Sequence, residues 1–212
     1  MKLTIFGATG TVGRECVEQS LEAGHDVTVL VRTPAKLSEN VRSRVQVVEG
    51  DGLDGAAVAR AIPAGTAAVL FAVGVGKSSP EDLCTDVTRH ILAAMPGAGA
   101  RRLVWVGGGS TPVARDDVTF GARFVEFFAD TFMGLRHRDK EHQLELLEAN
   151  RQVEWIGLRP LVIRGGPRRE VYRVGYDRYN MLSTISAADI AHAMLAMLEN
   201  DSWLHEAPII QY

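Results

Sequence analysis

A chain of 212 residues with 46% hydrophobic and 23% charged side chains has the composition of a globular fold with a sizeable core, and the expectation is one domain over residues 1–212. Its net charge of −3 supplies no general attraction to nucleic acid or to an anionic membrane surface. Cys16 and Cys84 have no metal-ligand spacing and form no CxxC pattern, which argues against a metal site or a disulfide framework. No apolar run reaches the length of a membrane span, and the sequence passes from Met1 straight into a strand pattern, so a cytoplasmic protein is expected.

Taken in chain order, the elements alternate. The run KLTIFG (2–7) reads as a strand and is followed by a helical pattern over 11–23. DVTVLV (26–31) and RVQVVEG (44–50) are further strands, with a helix at 54–61 after them. AAVLFAVG (67–74) leads to a helix at 80–95, RLVWVGG (102–108) to a long helix over 119–149, and VEWIGLR (153–159) closes the series. These runs lack polar alternation, as strands covered on both faces do. A strand near 170–175, a helix at 187–199 and a last short strand, PIIQY, complete the chain. Alternating strands and helices predict a doubly wound parallel sheet.

The stretch TIFGATGTVGREC places Gly7, Gly10 and Gly13 between the first strand and the first helix. That is the position and spacing of a dinucleotide-binding turn. The first glycine permits the tight turn, the second lets the backbone approach a pyrophosphate, and the third lets helix and sheet pack closely. The helix N-terminus adds unpaired N–H groups and a partial positive charge. Gly7, Thr9, Gly10, Thr11, Val12 and Gly13 are therefore candidate cofactor ligands. An enzyme for the unphosphorylated dinucleotide carries Asp or Glu near the end of the second strand. Here that strand ends in Arg32, with Lys36 close behind, so the expected cofactor is NADP(H), the two cations meeting its 2′-phosphate. Asp51 and Gly52, after the third strand, are placed near the adenine, and Val73 and Gly74, after the fourth, along the cofactor. GlyLysSer at 76–78 is not a phosphate-binding P-loop, because the residue five before Gly76 is Phe71.

GATGTVG, VLVRTPAKL, VVEGDGLD, RLVWVGGGS, EWIGLRP and STISAADIAHAMLAMLE together resemble the atypical short-chain dehydrogenase/reductases with an NAD(P)H-binding, NmrA-like fold. The pattern is most similar to the branch of biliverdin-IXβ and flavin reductases. The resemblance covers nearly the whole chain. It implies a Rossmann-type doubly wound sheet with a small C-terminal extension on the substrate side. It also implies NADPH-dependent hydride transfer to a planar, conjugated small molecule such as a flavin, quinone or tetrapyrrole, in a monomer or homodimer.

The chain departs from the short-chain dehydrogenase pattern at the chemistry. None of Tyr172, Tyr176, Tyr179 and Tyr212 has a lysine four residues later. Lys140 falls where the family places its lysine, and Arg136 then stands at the tyrosine position. The branch's serine after the fifth strand falls on Gly108, with Ser110 and Thr111 just downstream, and its histidine after the sixth strand is replaced by Val162. Candidate catalytic groups are thus Lys140, Ser110 and a histidine of RHRDKEHQ, His142 or His137. His142 and Lys140, two apart on a helix, do not share a face. Phe120, Phe124, Phe127, Phe128 and Phe132 recur at helical spacing, which suits a core or subunit interface or a wall for a flat apolar substrate. The arginines of RGGPRREVYR (164–173) are read as solvated surface, with contact to an acidic group of the substrate as the alternative. The absent phenol leaves two functions open, a reductase or a non-catalytic NADP(H) sensor.

Overall fold

Six of the apolar runs become six strands of one parallel sheet. The structure is a computed structural model that describes residues 1–76, 78–116, 134–176 and 183–212, with the side chains of 134–137 left aside. Along the chain come β1 (Lys2–Phe6), α1 (Thr11–Glu22), β2 (Asp26–Val31), α2 (Glu39–Arg42), β3 (Gln46–Glu49), α3 (Gly55–Ala61) and β4 (Ala68–Phe71). There follow α4 (Leu83–Ala98), β5 (Arg102–Val106), α5 (Gly134–Glu148) and β6 (Glu154–Leu158). The C-terminal part holds β7 (Val162–Arg164), β8 (Arg173–Gly175), β9 (Thr184–Ser186), α6 (Ala187–Ala196) and β10 (Ile209–Gln211).

The strand order β3-β2-β1-β4-β5-β6 is that of a Rossmann-type sheet, and it reverses direction at β1 and β4, where such sheets open a crevice. β1 pairs in parallel with β2 through Ile5 and Val29 and with β4 through Ile5 and Leu70. Successive side chains of a strand point to opposite faces, and here both faces are buried. Ile5, Val29, Leu70, Val104 and Ile156 join the core shared with α1 and α6. Phe6, Leu30, Phe71, Trp105 and Trp155 join the one shared with α3, α4 and α5. That two-sided burial is why the strands read as continuous apolar runs. The Trp105 ring lies where β-carbons on Gly107 and Gly157 would approach it to 2.6 and 2.7 Å, so small residues on its own strand end and on β6 make room for it.

The C-terminal part departs from the sequence-based expectation. β10 pairs antiparallel with β8, and β7 pairs in parallel with β9, so two small sheets stand where one further strand and a terminal strand were expected. Strands of three residues carry no periodicity to read. The helix expected over 80–95 runs from Leu83 to Ala98 with Pro96 in its last turn, and it stops at Gly99, whose φ of +76° accepts the left-handed conformation. Of the long helix expected over 119–149, α5 is the described portion. The phenylalanine-rich stretch and Tyr179 lie outside the described residues.

Two polar groups lock the ends of α6. At its start Ser186 accepts from the Asp189 N–H, and the buried Asp189 carboxylate accepts from the backbone N–H of Arg169 and Glu170 at 2.8 and 2.9 Å and from the Tyr212 hydroxyl at 2.6 Å. After its last turn the buried Arg102 donates to the carbonyls of Met197 and Leu198 and pairs with Glu154 and Asp201, a cation at the negative end of the helix dipole.

Burial opposes ionisation of Asp189, but the hydrogen bonds it accepts prevail and hold its carboxyl below the usual value of 3.8. A depressed folded-state value stabilises the fold above the unfolded value, and that contribution is lost as pH falls through the folded one. Asp189→Asn is therefore expected to lower the urea midpoint at neutral pH and to lose less stability than the parent below about pH 4. Parallel loss in both proteins over the acid range contradicts this.

Candidate functional site

The turn after β1 is built by steric necessity. Gly7 has a φ of +85°, and a β-carbon there would lie 2.4 Å from the Ala72 carbonyl oxygen. A β-carbon on Gly13 would lie 2.0 Å from the Gly7 carbonyl oxygen. Only glycine at both places lets the first turn of α1 press against the end of β1 and the backbone after β4. Gly10 donates to the Gly7 carbonyl at 2.9 Å and caps α1 with no side-chain hydrogen bond, and no acidic side chain stands in the first turn. The positive end of α1 thus carries neither a side-chain cap nor a local counter-charge.

Against this turn lies a cleft of about 420 Å³ along the C-terminal edge of β1, β2 and β4. Gly7, Thr9, Gly10 and Thr11 form one wall, Asp51 and Gly52 another, and Val73 to Gly76 a third, with Arg32 at the rim and Phe6, Leu83 and Val87 among its apolar lining. Most of the sequence-predicted cofactor residues therefore meet at one surface. The Asp51 carboxylate accepts from the Leu53 N–H at 3.1 Å, which shapes the turn after β3. A β-carbon on Gly52 would lie 2.9 Å from a Val87 methyl. Arg32 is exposed and makes no ion pair among the described residues. Val12 and Gly13 are buried behind the turn.

Lys36 is not part of this lining. Pro34 opens a short 3₁₀ turn at Pro34–Lys36, and this turn carries Lys36 into a neighbouring hollow of about 340 Å³ lined also by Ala8, Arg14 and Ser38. Arg32 and Lys36 thus border two different depressions, both of which include residues of the turn after β1.

Lys140 lies just beyond the cleft, at the ends of β4 and β5. Its Nζ donates to the Val106 carbonyl at 3.2 Å and to Gln143 Oε1 at 3.0 Å, and it stands 5.2 Å from the centre of the Phe71 ring. Two contacts from α5 fix this helix against α4. The buried Asp139 carboxylate accepts from the backbone N–H of Cys84 and Thr85 at 2.8 and 2.9 Å, serving as the N-terminal cap of α4 from a neighbouring helix. Asp82, which stands at the local cap position and makes no cap bond, instead meets His142 Nδ1 at 3.0 Å. That bond raises the His142 pKa, and both side chains are about half exposed. The structure thus brings His142 to Asp82 at the start of α4 and not to Lys140. The side chain of His137 lies outside the described residues. Cys84 is buried beside Lys140, and burial pushes its thiol up.

Ser110 and Thr111 belong to the loop after β5, which is held by a buried ion pair the sequence reading missed. Arg159, at the end of β6, has no exposed surface and donates to both carboxylate oxygens of Asp116, to the Thr111 carbonyl and to the Ala207 carbonyl. Gly109 lies so close to Pro160 and Leu161 that a β-carbon would come within 2.6 Å of the Leu161 backbone. The Thr111 hydroxyl is buried without a partner among the described residues. No group of histidines, cysteines and carboxylates suited to a metal occurs among the described residues, and no helix there is long and apolar enough to cross a membrane.

A family model described as NAD(P)H-binding matches residues 7–201, the span from the glycine turn to just past α6. The chain belongs to this NAD(P)H-binding family. YwnB of Bacillus subtilis (strain 168) is 27% identical over 213 residues, covering 97% of this chain and 96% of YwnB. A 3-diazoavenalumate denitrifying reductase of a Streptomyces species is 35% identical over 115 residues, which cover 49% of this chain and 36% of that protein. The solved structure of ChuY, an anaerobillin reductase from Escherichia coli O157:H7, superposes with a TM-score of 0.80 at 20% identity, covering 100% of this chain and 97% of that one. That likeness is one of fold. The NAD(P)H-binding assignment agrees with the glycine-built turn and open helix end, which leave space at the backbone where a dinucleotide needs it.

Removing one partner of a buried ion pair strands the other charge. Asp116→Ala is expected to lower the unfolding free energy by about 3–5 kcal/mol, and Arg159→Met added to it is expected to restore part of that loss. Urea denaturation of the three proteins checks this, and an Asp116→Ala variant as stable as the parent contradicts it.

Proposed function

We propose that the protein is an NADPH-dependent reductase that delivers hydride to a flavin, a quinone or a similar flat conjugated molecule. The observation that carries this reading is the open cleft between the glycine turn and the backbone after β4, with the exposed Arg32 at its rim and Lys140 just beyond it at the ends of β4 and β5. The backbone N–H groups at the start of α1 would hold the diphosphate. Arg32 would fork onto the 2′-phosphate, with Lys36 approaching from the adjacent hollow. Asp51 and Gly52 would border the adenine, and Val73 and Gly74 the path toward the nicotinamide. Lys140 would hold the nicotinamide ribose. NADPH, when bound, supplies the hydride.

The protein's share of the chemistry is then position and charge. With Arg136 at the position of the usual phenol, proton delivery falls to Ser110 in the loop that Arg159 braces, or to water. A conjugated acceptor suits such a site, because it spreads the negative charge that a ketone would localise on one oxygen. The reductase names of the Streptomyces and E. coli proteins support this direction. Residues 1–212 act in this reading as one nucleotide-binding domain.

Two measurements test it. Arg32→Asp is expected to weaken NADPH binding on the order of 100-fold while changing NADH binding by only about 3-fold; equal losses for both nucleotides remove Arg32 from the 2′-phosphate. NADPH oxidation is expected with at least one of a panel of free flavins and quinones. Tight NADPH binding without turnover of any of them favours a nucleotide sensor instead.

A further inference from the structure

The Lys140 ammonium does not owe its place to its own helix alone. We infer that Gln143, anchored by Thr88 of α4, is the positioning residue that aims the Lys140 ammonium at the cofactor. The inference rests on the proposed role of Lys140 at the nicotinamide ribose.

Gln143 has no exposed surface, and Thr88 has almost none. Burying a primary amide is costly unless its donors and acceptors are used, and the apolar neighbours on α5, Leu144 and Leu147, show what this interface otherwise takes. Asp139, Gln143 and Leu147 are spaced by four and form one buried row on the helix. An aliphatic residue at 143 would fill the same space. The amide has two uses instead: Nε2 donates to Thr88 Oγ1 at 2.8 Å, and Oε1 accepts from Lys140 Nζ at 3.0 Å.

The two ends of the amide are not interchangeable. A hydroxyl can accept or donate, but an ammonium can only donate. Turning the amide over would put its NH₂ against the positive charge, so Lys140 dictates the orientation and Thr88 holds it there. Since Thr88 belongs to α4, whose start Asp139 caps, the ammonium is referenced to a second helix as well as to β5 through the Val106 carbonyl. Two strong acceptors therefore engage the ammonium. Among the described residues its other polar neighbour is the buried Cys84 thiol, a weak acceptor, so the third N–H can turn to a better one such as a ribose hydroxyl. Without Gln143, the four-carbon stem of Lys140 regains rotamers that the ligand must then restrict.

The test is a mutant cycle with NADPH as the probe, read by calorimetry and by the separation of KM from kcat, with urea midpoints recorded for every variant. Gln143→Met, close in volume, is expected to weaken NADPH binding by about 5–10-fold through KM. Thr88→Val is expected to weaken it about 2–3-fold in the same way, and Thr88→Ser to keep the parent affinity. In the double variant of Gln143→Met and Lys140→Ala the loss equals that of Lys140→Ala alone, because Gln143 acts only through Lys140. Losses that multiply in the double variant overturn the inference, and so does a lowered urea midpoint with NADPH affinity unchanged. If Gln143→Met does not fold, Thr88→Val and its serine counterpart decide the matter. Should Lys140→Ala itself leave NADPH affinity intact, the role of Lys140 fails and the inference with it. Should Lys140→Ala weaken binding while Gln143→Met does not, the inference alone fails.

Discussion

The backbone contact between Gly7 and Gly13 is the constraint on which the rest of the molecule turns. With a β-carbon at residue 13 only 2.0 Å from the Gly7 carbonyl oxygen, the first turn of α1 could not lie where it does. Because it does lie there, the positive end of a twelve-residue helix meets the sheet at the place where β1 and β4 diverge. The strand order makes the crevice, and the glycines bring the helix end into it. Neither is sufficient alone: a crevice without the helix end lacks charge for a diphosphate, and a helix end elsewhere lacks walls.

Around that point the fold commits polar groups to holding loops rather than to filling the core. Arg159 and Asp116 brace the loop after β5. Asp139 caps a helix that its own Asp82 leaves uncapped. Asp189 gathers two backbone N–H groups and the Tyr212 hydroxyl. Buried carboxylates of this kind are expensive unless each oxygen is satisfied, and in these three cases the partners are backbone amides, hydroxyls or an arginine fork. The segments they tie down are those that lead away from the ends of β4, β5 and β6, the edge on which an open α/β sheet carries its ligands.

The sheet and the glycine turn were legible in the sequence because both rest on local patterns: unbroken apolar runs between helical stretches, and three glycines at a fixed spacing after the first strand. Arg32, Asp51, Gly52, Val73 and Gly74 could be placed along the cleft because each lies just after a strand. What was not legible depends on contacts between distant segments. Arg159 and Asp116 are 43 positions apart, and nothing local marks them as a pair. Asp139 and Gln143 sit in a stretch that reads as a polar helix surface, and only their spacing of four with Leu147 hints at a buried row. That Lys36 borders a separate hollow, carried there by the turn that Pro34 begins, has no local signal in the sequence. The three-residue strands β7 and β9 were missed because their pairing comes from the tertiary fold rather than from a pattern of their own.

The central claim is that the amides at the start of α1 grip the diphosphate of a pyridine nucleotide. Amide hydrogen exchange over residues 9–14, compared with and without saturating NADP⁺, tests it most directly. Slowed exchange at these amides, with exchange in β8 and β10 unchanged, is the result this account predicts. Tight nucleotide binding with exchange at residues 9–14 unaltered would contradict it.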